Sequence, residues 1–360
     1  MARKLTAAAR KEKLTSLLSN EFLGLTIFPT EACNFRCTYC YEDHAPERMS
    51  DGTISALKEF LRRRMPTLNQ VHISWFGGEP LLAKDIMLDI CGFIQHEMAG
   101  RTDISFASAA TTNGYLLDST LLHTLFEAGV TDYQISLDGP PEIHNRSRVR
   151  ADGSGTFDRI WSNLMTIRDS KLPVNVLLRV HIDADTRFQM EPLLELLRKE
   201  LIHDDRFSVF FRVVSKLGGE NDHLLNPISE ADEPAVVAEL EGALGRGHFK
   251  RKSDYKICNA AHANKLIIRA NGDIAKCTLA LYDERNKVGS LRPDGTLEMI
   301  PARLTPWIRG IANLDPQVLS CPWRGFPESN LDSPRGATAP STCAIPAAGS
   351  TQELVQLDAR

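Results

Sequence analysis

The 360-residue sequence lacks several features that would assign it to a common class of protein. It contains no apolar run near the roughly 18 residues that a membrane-spanning helix needs. Its first residues, MARKLTAAARKEKLTSLL, are basic and amphipathic and lack the apolar segment of a signal peptide. The formal net charge is only −4, so charge gives no reason to expect a nucleic acid. We therefore expect a cytoplasmic protein without a membrane or nucleic-acid partner.

Cysteine is unevenly distributed, and one group of three lacks a fourth member nearby. Cys33, Cys37 and Cys40 form a C-x3-C-x2-C pattern. In a cytoplasmic protein, such cysteines are more often metal ligands or catalytic groups than disulfides. Structural zinc takes four ligands, usually from two C-x2-C pairs, whereas three thiolates on a [4Fe–4S] cluster leave one iron open to a chelating molecule. The spacing favours the cluster; a zinc site completed by a ligand such as His44, or three unrelated buried thiols, are the alternatives.

Short apolar runs alternate with amphipathic helical patterns between residues 24 and 214. The predicted strands are 25–29, 71–75, 105–111, 133–137, 174–180 and 207–214. The predicted helices are 53–64, 84–98, 118–128, 157–169 and 187–200. This alternation predicts a parallel sheet with right-handed crossovers. Because six units are too few for an eight-stranded barrel, the expected fold class is α/β, a partial (β/α)6 barrel open on one side.

The pattern changes after residue 214. Residues 216–234 are polar and rich in turn formers, which indicates a domain boundary. One helix is predicted at 235–244, followed by short β segments that include a hairpin turned at Asn271-Gly272. The C-terminal residues are rich in Pro, Ser, Ala and Gly, a composition typical of mobile segments. The sequence thus predicts a barrel (1–220), a small α+β domain (221–326) and a mobile tail (327–360).

Residues suited to ligand binding follow the predicted strands. Ligands of open parallel α/β folds bind at the carboxyl ends of the strands. The candidate segments here are the cysteine loop, 76–80 (FGGEP), 111–114 (TTNG), 136–140 (SLDGP), Arg179 with His181, and Arg212. Taken singly, each has a simpler explanation, such as a turn for FGGEP or a surface ion pair for Arg179. Their common placement at one mouth favours a binding site.

These segments offer complementary groups for one small molecule. Gly77 and Gly78 would let the backbone approach a ligand closely. Glu79 could accept a hydrogen bond from an ammonium group. Ser136 could bind a ribose hydroxyl or a carboxylate, and Arg179 could pair with a carboxylate. An ammonium, a carboxylate and a ribose together describe an amino-acid nucleoside.

The cysteine pattern followed by Gly77-Gly78-Glu79-Pro80 resembles the radical S-adenosylmethionine (SAM) superfamily. The resemblance implies a [4Fe–4S] cluster whose open iron is chelated by SAM, and a 5′-deoxyadenosyl radical that abstracts a substrate hydrogen. It also implies an electron donor of the flavodoxin or ferredoxin kind. Tyr39 is expected near the adenine of SAM, and Gly77, Gly78 and Glu79 near its amino group. Ser136 and Arg179 are expected near the ribose and the carboxylate. Asn113, at the end of a predicted strand, is a further candidate contact. No catalytic residue is identified.

Two later segments, 136–164 and 258–277, are similar to radical SAM enzymes with a C-terminal SPASM or twitch domain. That similarity implies one auxiliary [4Fe–4S] cluster with the ligands Cys258, Cys277 and Cys321; Cys343 is an open candidate for the fourth. The full SPASM pattern has seven cysteines and two clusters, so the shortened domain resembles a twitch module. A hairpin that carries cysteines without metal is the alternative. Cys91 falls within an apolar helix and is expected in the core.

Three functions follow as hypotheses. The favoured one is a maturase of ribosomally made peptides, an oxidoreductase that abstracts hydrogen from a precursor peptide. It would form a C–C (cyclophane) or thioether cross-link, and a separate peptide-recognition protein could assist it. The second is oxidation of Cys or Ser in a protein partner, as in anaerobic sulfatase activation, against which the missing cysteines count. The third is a non-enzymatic binding scaffold stapled by metal.

Overall fold

The computed structural model describes residues 7–45, 47–245 and 257–326. The predicted tail and Cys343 lie outside these residues. In chain order, the strands are β1 (Phe22–Ile27), β2 (Phe35–Cys37), β3 (Gln70–Trp75), β4 (Ser105–Thr112), β5 (Val130–Ser136), β6 (Arg148–Arg150), β7 (Asn175–Ile182), β8 (Phe207–Val213), β9 (Lys265–Ile268), β10 (Asp273–Ala275), β11 (Gly289–Leu291) and β12 (Leu297–Met299). The α-helices are α1 (Ala7–Leu18), α2 (Asp51–Arg64), α3 (Lys84–Glu97), α4 (Ser119–Glu127), α5 (Pro141–Ser147), α6 (Phe157–Ser170), α7 (Glu191–Glu200), α8 (Glu233–Leu244), α9 (Pro301–Ile308) and α10 (Pro316–Ser320).

Six parallel strands form the centre of the fold in the order β1-β3-β4-β5-β7-β8. They correspond to the six predicted strands, with ends that differ by a few residues. Helices α2, α3, α4, α6 and α7 connect them, as predicted. The α/β fold with a partial parallel barrel is therefore confirmed. Among the described helices, none combines the length and the apolar character needed to cross a membrane.

Local sequence explains where the helices begin and end. Asp118 caps α4 because its carboxylate accepts a hydrogen bond from the backbone N–H of Leu121. Gly129, with a φ of 88°, follows the end of that helix. The prediction for α7 was too long, since residues 187–189 form a 3-10 turn and the helix begins at Glu191. Pro192 fits this start, because a proline is tolerated in the first turn of a helix.

The two faces of the parallel sheet differ in packing. In β3, Val71, Ile73 and Trp75 are completely buried on the helix side. Alternate residues such as His72 and Ser74 are only partly buried. A parallel strand covered on both faces would be apolar throughout. The inner face of β3 is therefore less tightly covered than its helix side.

The C-terminal strands extend the barrel sheet. β9 pairs in parallel with β1, and β10, β11 and β12 follow as antiparallel neighbours, which gives one ten-stranded sheet. The predicted hairpin is present between β9 and β10, and its turn includes Gly272 with a φ of 85°. The sequence did not predict the pairing of β9 with β1. The division into domains at residue 220 stays a prediction.

A buried ion pair joins this C-terminal hairpin to the cysteine loop. Arg269, just after β9, binds both carboxylate oxygens of Glu31, with N–O distances of 2.9 and 2.5 Å. The side chain of Glu31 is 6% exposed and that of Arg269 is 17% exposed. Burial makes the loss of one partner costly, because the other charge is then left in a poorly solvated place.

Replacement of Arg269 by Met should destabilise the protein by about 3 kcal/mol, since the carboxylate of Glu31 loses its partner. The free energy of unfolding in urea would measure this loss. Arg292→Met is the matched control, because Arg292 pairs with Glu298 at an exposed position and should change stability little. Equal effects of the two substitutions would contradict a structural role for the Glu31–Arg269 pair.

Candidate active site

The cysteine loop lies at the carboxyl end of β1. Within it, β2 pairs antiparallel with β6, and Cys37 stands opposite Arg148 in that ladder. The N–H of Thr38 also donates to the carbonyl of Ser147 at 2.9 Å. The loop is thus held by backbone bonds to the segment that follows β5, and its three cysteines border one cavity that opens to solvent.

The structure gathers most of the predicted cofactor-binding residues around this cavity. Its walls include the predicted residues Cys33, Cys37, Cys40, Tyr39, Gly77, Gly78, Asn113, Ser136 and Arg179. Glu79 lies behind the wall and is completely buried. The side chains are therefore close enough to share a ligand, and their individual roles stay predictions.

Gly77 and Gly78 are required by the packing of two loops. Gly77 has a φ of 111°, and a β-carbon there would clash with the carbonyl oxygen of Thr30. A β-carbon on Gly78 would lie 2.5 Å from the carbonyl oxygen of Glu31 and closer still to that of Ala32. The glycines thus let the FGGEP segment touch the backbone of the cysteine loop. The close approach of a ligand to these glycines, which the sequence suggests, stays a prediction.

Glu79 anchors the same segment to the end of β4. Its carboxylate accepts hydrogen bonds from the hydroxyl of Thr112 at 2.7 Å and from the backbone N–H groups of Asn113 and Leu81 at 2.7 and 2.9 Å. Burial raises the pKa of Glu79, although these three hydrogen bonds oppose the shift. Each bond that the structure gives this carboxylate serves the protein, and its contact with the SAM amino group stays a prediction.

Sequence reasoning missed a buried polar network beside Tyr39. The Tyr39 hydroxyl donates to Asp138 Oδ2 at 2.6 Å, and Arg148 donates to that hydroxyl at 2.5 Å. The other oxygen of Asp138 lies 2.9 Å from His181 Nδ1. Burial alone would raise the pKa of Asp138, but His181 and Arg148 outweigh it and lower the pKa. A carboxylate therefore sits among three polar side chains directly behind the cysteine loop.

His144 contacts this network, and its hydrogen bonds define which ring nitrogen carries the proton. The backbone N–H of Asp138 donates to His144 Nδ1 at 3.2 Å, so that nitrogen carries no proton. The other ring nitrogen lies 3.0 Å from the hydroxyl of Thr156, which itself donates to the carbonyl of Arg148. Burial lowers the pKa of His144 to about 3. The neutral ring thus links the backbone at Asp138 to that at Arg148.

The inner wall opposite the cysteines is polar and positively charged. Gln134 is buried, and neither atom of its amide has a hydrogen-bond partner in the described structure. Nε of Arg179 is likewise buried without a partner. Burial lowers the pKa of Arg179 to about 10, and the neighbouring Arg212 contributes to the shift. Arg212 lies 3.9 Å from the carboxylate of Glu233, so Arg179 in particular favours an anionic ligand group at this cavity.

A partly buried acid, Glu42, lies two residues after the third cysteine. Glu42 lines the cavity, and burial raises its pKa to about 8, with a further contribution from Glu31. Its carboxyl group is therefore largely neutral at pH 7. A neutral acid adds no negative charge beside the thiols. Nothing in the sequence pattern around Glu42 indicated that it would line the cavity.

The thiols of the loop suit a metal centre that displaces their protons. Burial raises the pKa of Cys33 to about 12, and it raises the pKa values of Cys37 and Cys40 as well. The thiols are thus neutral without metal, and metal binding would release their protons. Nε2 of His44 lies 3.2 Å from Cys40 Sγ. Within the described ranges, no three His, Cys, Asp or Glu side chains converge closely enough to hold one metal ion.

The second predicted cysteine set lies beside β9 and β10. Burial raises the pKa of Cys277 to about 12, with further contributions from Cys258 and Cys321. The backbone N–H of Cys258 donates to the carbonyl of Leu319 at 2.8 Å, two residues before Cys321. Asn286 fixes the backbone of Cys277 by accepting from its N–H at 2.9 Å and donating to its carbonyl at 2.8 Å. Their role as cluster ligands stays a prediction. Cys91, by contrast, is completely buried in the core, as predicted.

Comparisons with known proteins agree with this geometry. Residues 27–197 match the model of the Radical SAM superfamily. A 178-residue stretch is 28% identical to GTP 3′,8-cyclase of Photorhabdus laumondii subsp. laumondii and covers 48% of this chain. The chain spans about half of that relative, 51% of its length.

Solved structures share the fold at low sequence identity. anSMEcpe with bound AdoMet and Kp18Cys peptide superposes with a TM-score of 0.62 at 18% identity, over 81% of this chain and 82% of that one. Streptococcus suis SuiB bound to the precursor peptide SuiA gives a TM-score of 0.56 at 18% identity, over 78% and 65% of the two chains. At this identity, the likeness concerns the fold.

In this α/β protein, the loop after the first parallel strand places three cysteines at one cavity. That arrangement is typical of proteins that bind a metal cofactor. The region of the chain from residue 27 to residue 197 belongs to the radical SAM superfamily. Membership implies a [4Fe–4S] cluster and SAM. The three thiols at one cavity and the guanidinium groups across from them fit these two groups.

Replacement of Gly78 by Ala should destabilise the protein by about 2 kcal/mol, because the added carbon forces the FGGEP segment away from the cysteine loop. Urea unfolding would measure the loss. Gly92→Ala is the control, since Gly92 lies in α3 with open space around it. There, the same substitution should stabilise the helix slightly. A neutral effect at Gly78 would show that the two loops separate easily.

Proposed function

We propose that the protein is a radical SAM enzyme that modifies a ribosomally made precursor peptide. It would abstract a hydrogen from the peptide and form a C–C (cyclophane) or thioether cross-link. The observation that carries the proposal is the convergence of Cys33, Cys37 and Cys40 with Ser136 and Arg179 on one open cavity. When bound, the cluster and SAM together supply the 5′-deoxyadenosyl radical for this chemistry.

The residues around the cavity have separate tasks in this proposal. The three thiolates bind the cluster, with the position of their loop set by Gly77 and Gly78. Arg179 binds the carboxylate of SAM and Ser136 its ribose, while Tyr39 lies near the adenine. The auxiliary cluster would use Cys258, Cys277 and Cys321. An electron donor of the flavodoxin or ferredoxin kind would complete the system, with a separate peptide-recognition protein as a further partner.

A peptide substrate is supported by two structural neighbours and by the shape of the barrel. anSMEcpe and SuiB were both solved with bound peptides. The cavity at the carboxyl ends of the barrel strands opens to solvent. This opening would give a peptide access to SAM bound beside the cysteine loop.

A nucleotide is the second candidate substrate. The similarity to GTP 3′,8-cyclase over 178 residues favours it. Incubation of the reconstituted protein with SAM, dithionite and GTP would test it, because a cyclised nucleotide is detected by mass spectrometry. Oxidation of Cys or Ser in a protein partner is a third candidate, which the limited number of cysteines disfavours. Membership in an enzyme superfamily speaks against a non-enzymatic scaffold.

The peptide hypothesis is tested by co-expression with candidate precursor peptides encoded beside the gene. A cross-link removes two hydrogens, so the peptide mass falls by about 2 Da. Fragmentation then locates the joined residues. Unchanged peptide together with a modified nucleotide would replace the favoured substrate by the second candidate.

Replacement of Cys33, Cys37 and Cys40 together by Ala should abolish 5′-deoxyadenosine formation, because no cluster is left to bind SAM. Chromatography of the products after reduction would measure it. Cys91→Ala serves as the control, since Cys91 is buried in the core away from the cavity. The protein with this substitution should keep its iron. Persistent SAM cleavage in the triple variant would refute the assignment of this loop.

Replacement of Cys258, Cys277 and Cys321 should remove about four irons per chain, the content of one cubane cluster, and leave the first cluster in place. Iron analysis after anaerobic reconstitution would measure the loss. Absorption near 400 nm would report the remaining cluster. Unchanged iron content would remove the auxiliary site from the proposal.

A further inference from the structure

Arg148 is a buried cation whose link to a carboxylate, that of Asp138, runs through the hydroxyl of Tyr39. It is 6% exposed, lies on the cavity wall and stands opposite Cys37 in the β2–β6 ladder. Its Nε is buried and has no hydrogen-bond partner. A buried guanidinium is costly unless an anion and hydrogen-bond acceptors surround it.

The polar groups around Arg148 do not meet this need by themselves. One terminal nitrogen donates to the hydroxyl of Tyr39, which is neutral. The ring of Phe35 lies 5.7 Å from the guanidinium carbon. Asp138 accepts the hydrogen bond of Tyr39, so its charge reaches Arg148 through that hydroxyl. Across the described part of the chain, the structure gives Arg148 no ion pair with a carboxylate.

We propose that Arg148 is a positioning residue for the cluster, whose negative charge its guanidinium offsets next to Cys37. The inference rests on the proposed function in one respect, which is that the three cysteines hold a [4Fe–4S] cluster. Three thiolates give the bound cluster a net negative charge, and reduction by one electron adds another. A fixed positive charge beside Cys37 therefore stabilises the reduced state more than the oxidised state.

The backbone of Arg148 is held to the cysteine loop. The carbonyl of Arg148 accepts a hydrogen bond of 2.6 Å from the buried hydroxyl of Thr156. On either side, the N–H of Thr38 donates to the carbonyl of Ser147, and the N–H of Ala151 donates to the carbonyl of Asn34. The strand that carries Arg148 is thus tied to the loop that carries Cys37, and the guanidinium itself binds the hydroxyl of Tyr39 in that loop.

The test is an electron-paramagnetic-resonance redox titration of the reconstituted full-length protein with dithionite and mediators. The barrel cluster is identified as the signal that changes on addition of SAM. In Arg148→Met, the ratio of reduced to oxidised cluster at a fixed potential should fall about tenfold, because one close positive charge is lost. Arg148→Lys, which keeps the charge, should stay near the wild-type ratio.

Arg150→Met is the matched control. Arg150 lies on the same short strand, pairs with Asp152 at the surface and is not part of the cavity wall. The same charge change there should leave the titration unaltered. If the Arg148→Met variant does not fold by circular dichroism, Arg148→Gln gives the same comparison with a side chain that can still form hydrogen bonds.

Each outcome decides the inference. A folded Arg148→Met chain that takes up no iron, beside an Arg148→Lys chain that does, supports it, because the charge is then needed for assembly. An equal ratio of reduced to oxidised cluster in the wild type, the Met variant and the Lys variant overturns it. Loss of iron from both variants, when both are folded, also overturns it. A wild-type protein that binds no iron refutes the proposed function itself, which separates the two failures.

Discussion

The arrangement of the cavity depends on one close contact between two loops. The carbonyl oxygens of residues 30–32 occupy the space where side chains of Gly77 and Gly78 would begin. Glu79, next in the chain, then binds the backbone at the end of β4 through Asn113. Three neighbouring strand ends are therefore connected in series, and the position of the cysteine loop follows from the register of β3 and β4.

Much of the fold was predictable because its signals are local. Parallel strands are short apolar runs, and helices such as α4 carry their own cap and stop residues, Asp118 and Gly129. The convergence of Ser136 and Arg179 was also predictable, since parallel strands bring their carboxyl ends to one edge and these residues are partners in the β5–β7 register. Local patterns and topology thus supplied six strands and most of the cavity wall.

The contacts that escaped prediction are distant in sequence and leave no pattern. Tyr39 and Asp138 are separated by 99 positions, and each has an ordinary local explanation in a loop or a turn. The pairing of β9 with β1 is of the same kind, because an apolar strand does not indicate which edge it will join. The contacts of Gly77, Gly78 and Glu79 within the protein escaped prediction for a related reason. Sequence shows that a residue is unusual, and only the structure shows whether a ligand or the protein itself needs it.

The distribution of charge around the cavity favours the binding of anionic groups. Arg148 stands at the cysteine loop, whereas Arg179 and Arg212 stand on the opposite strands, so positive charge is present at both ends. The thiols and Glu42 are neutral in the metal-free protein because burial raises their pKa values. Arg212 lies 3.9 Å from the carboxylate of Glu233, whereas the described structure gives Arg148 and Arg179 no ion pair with a carboxylate. A buried cation without such a partner is costly and is stabilised by an anion. A thiolate-bound cluster at one end and a carboxylate-bearing ligand at the other would both lower this cost, so that binding of each would stabilise the site built for it.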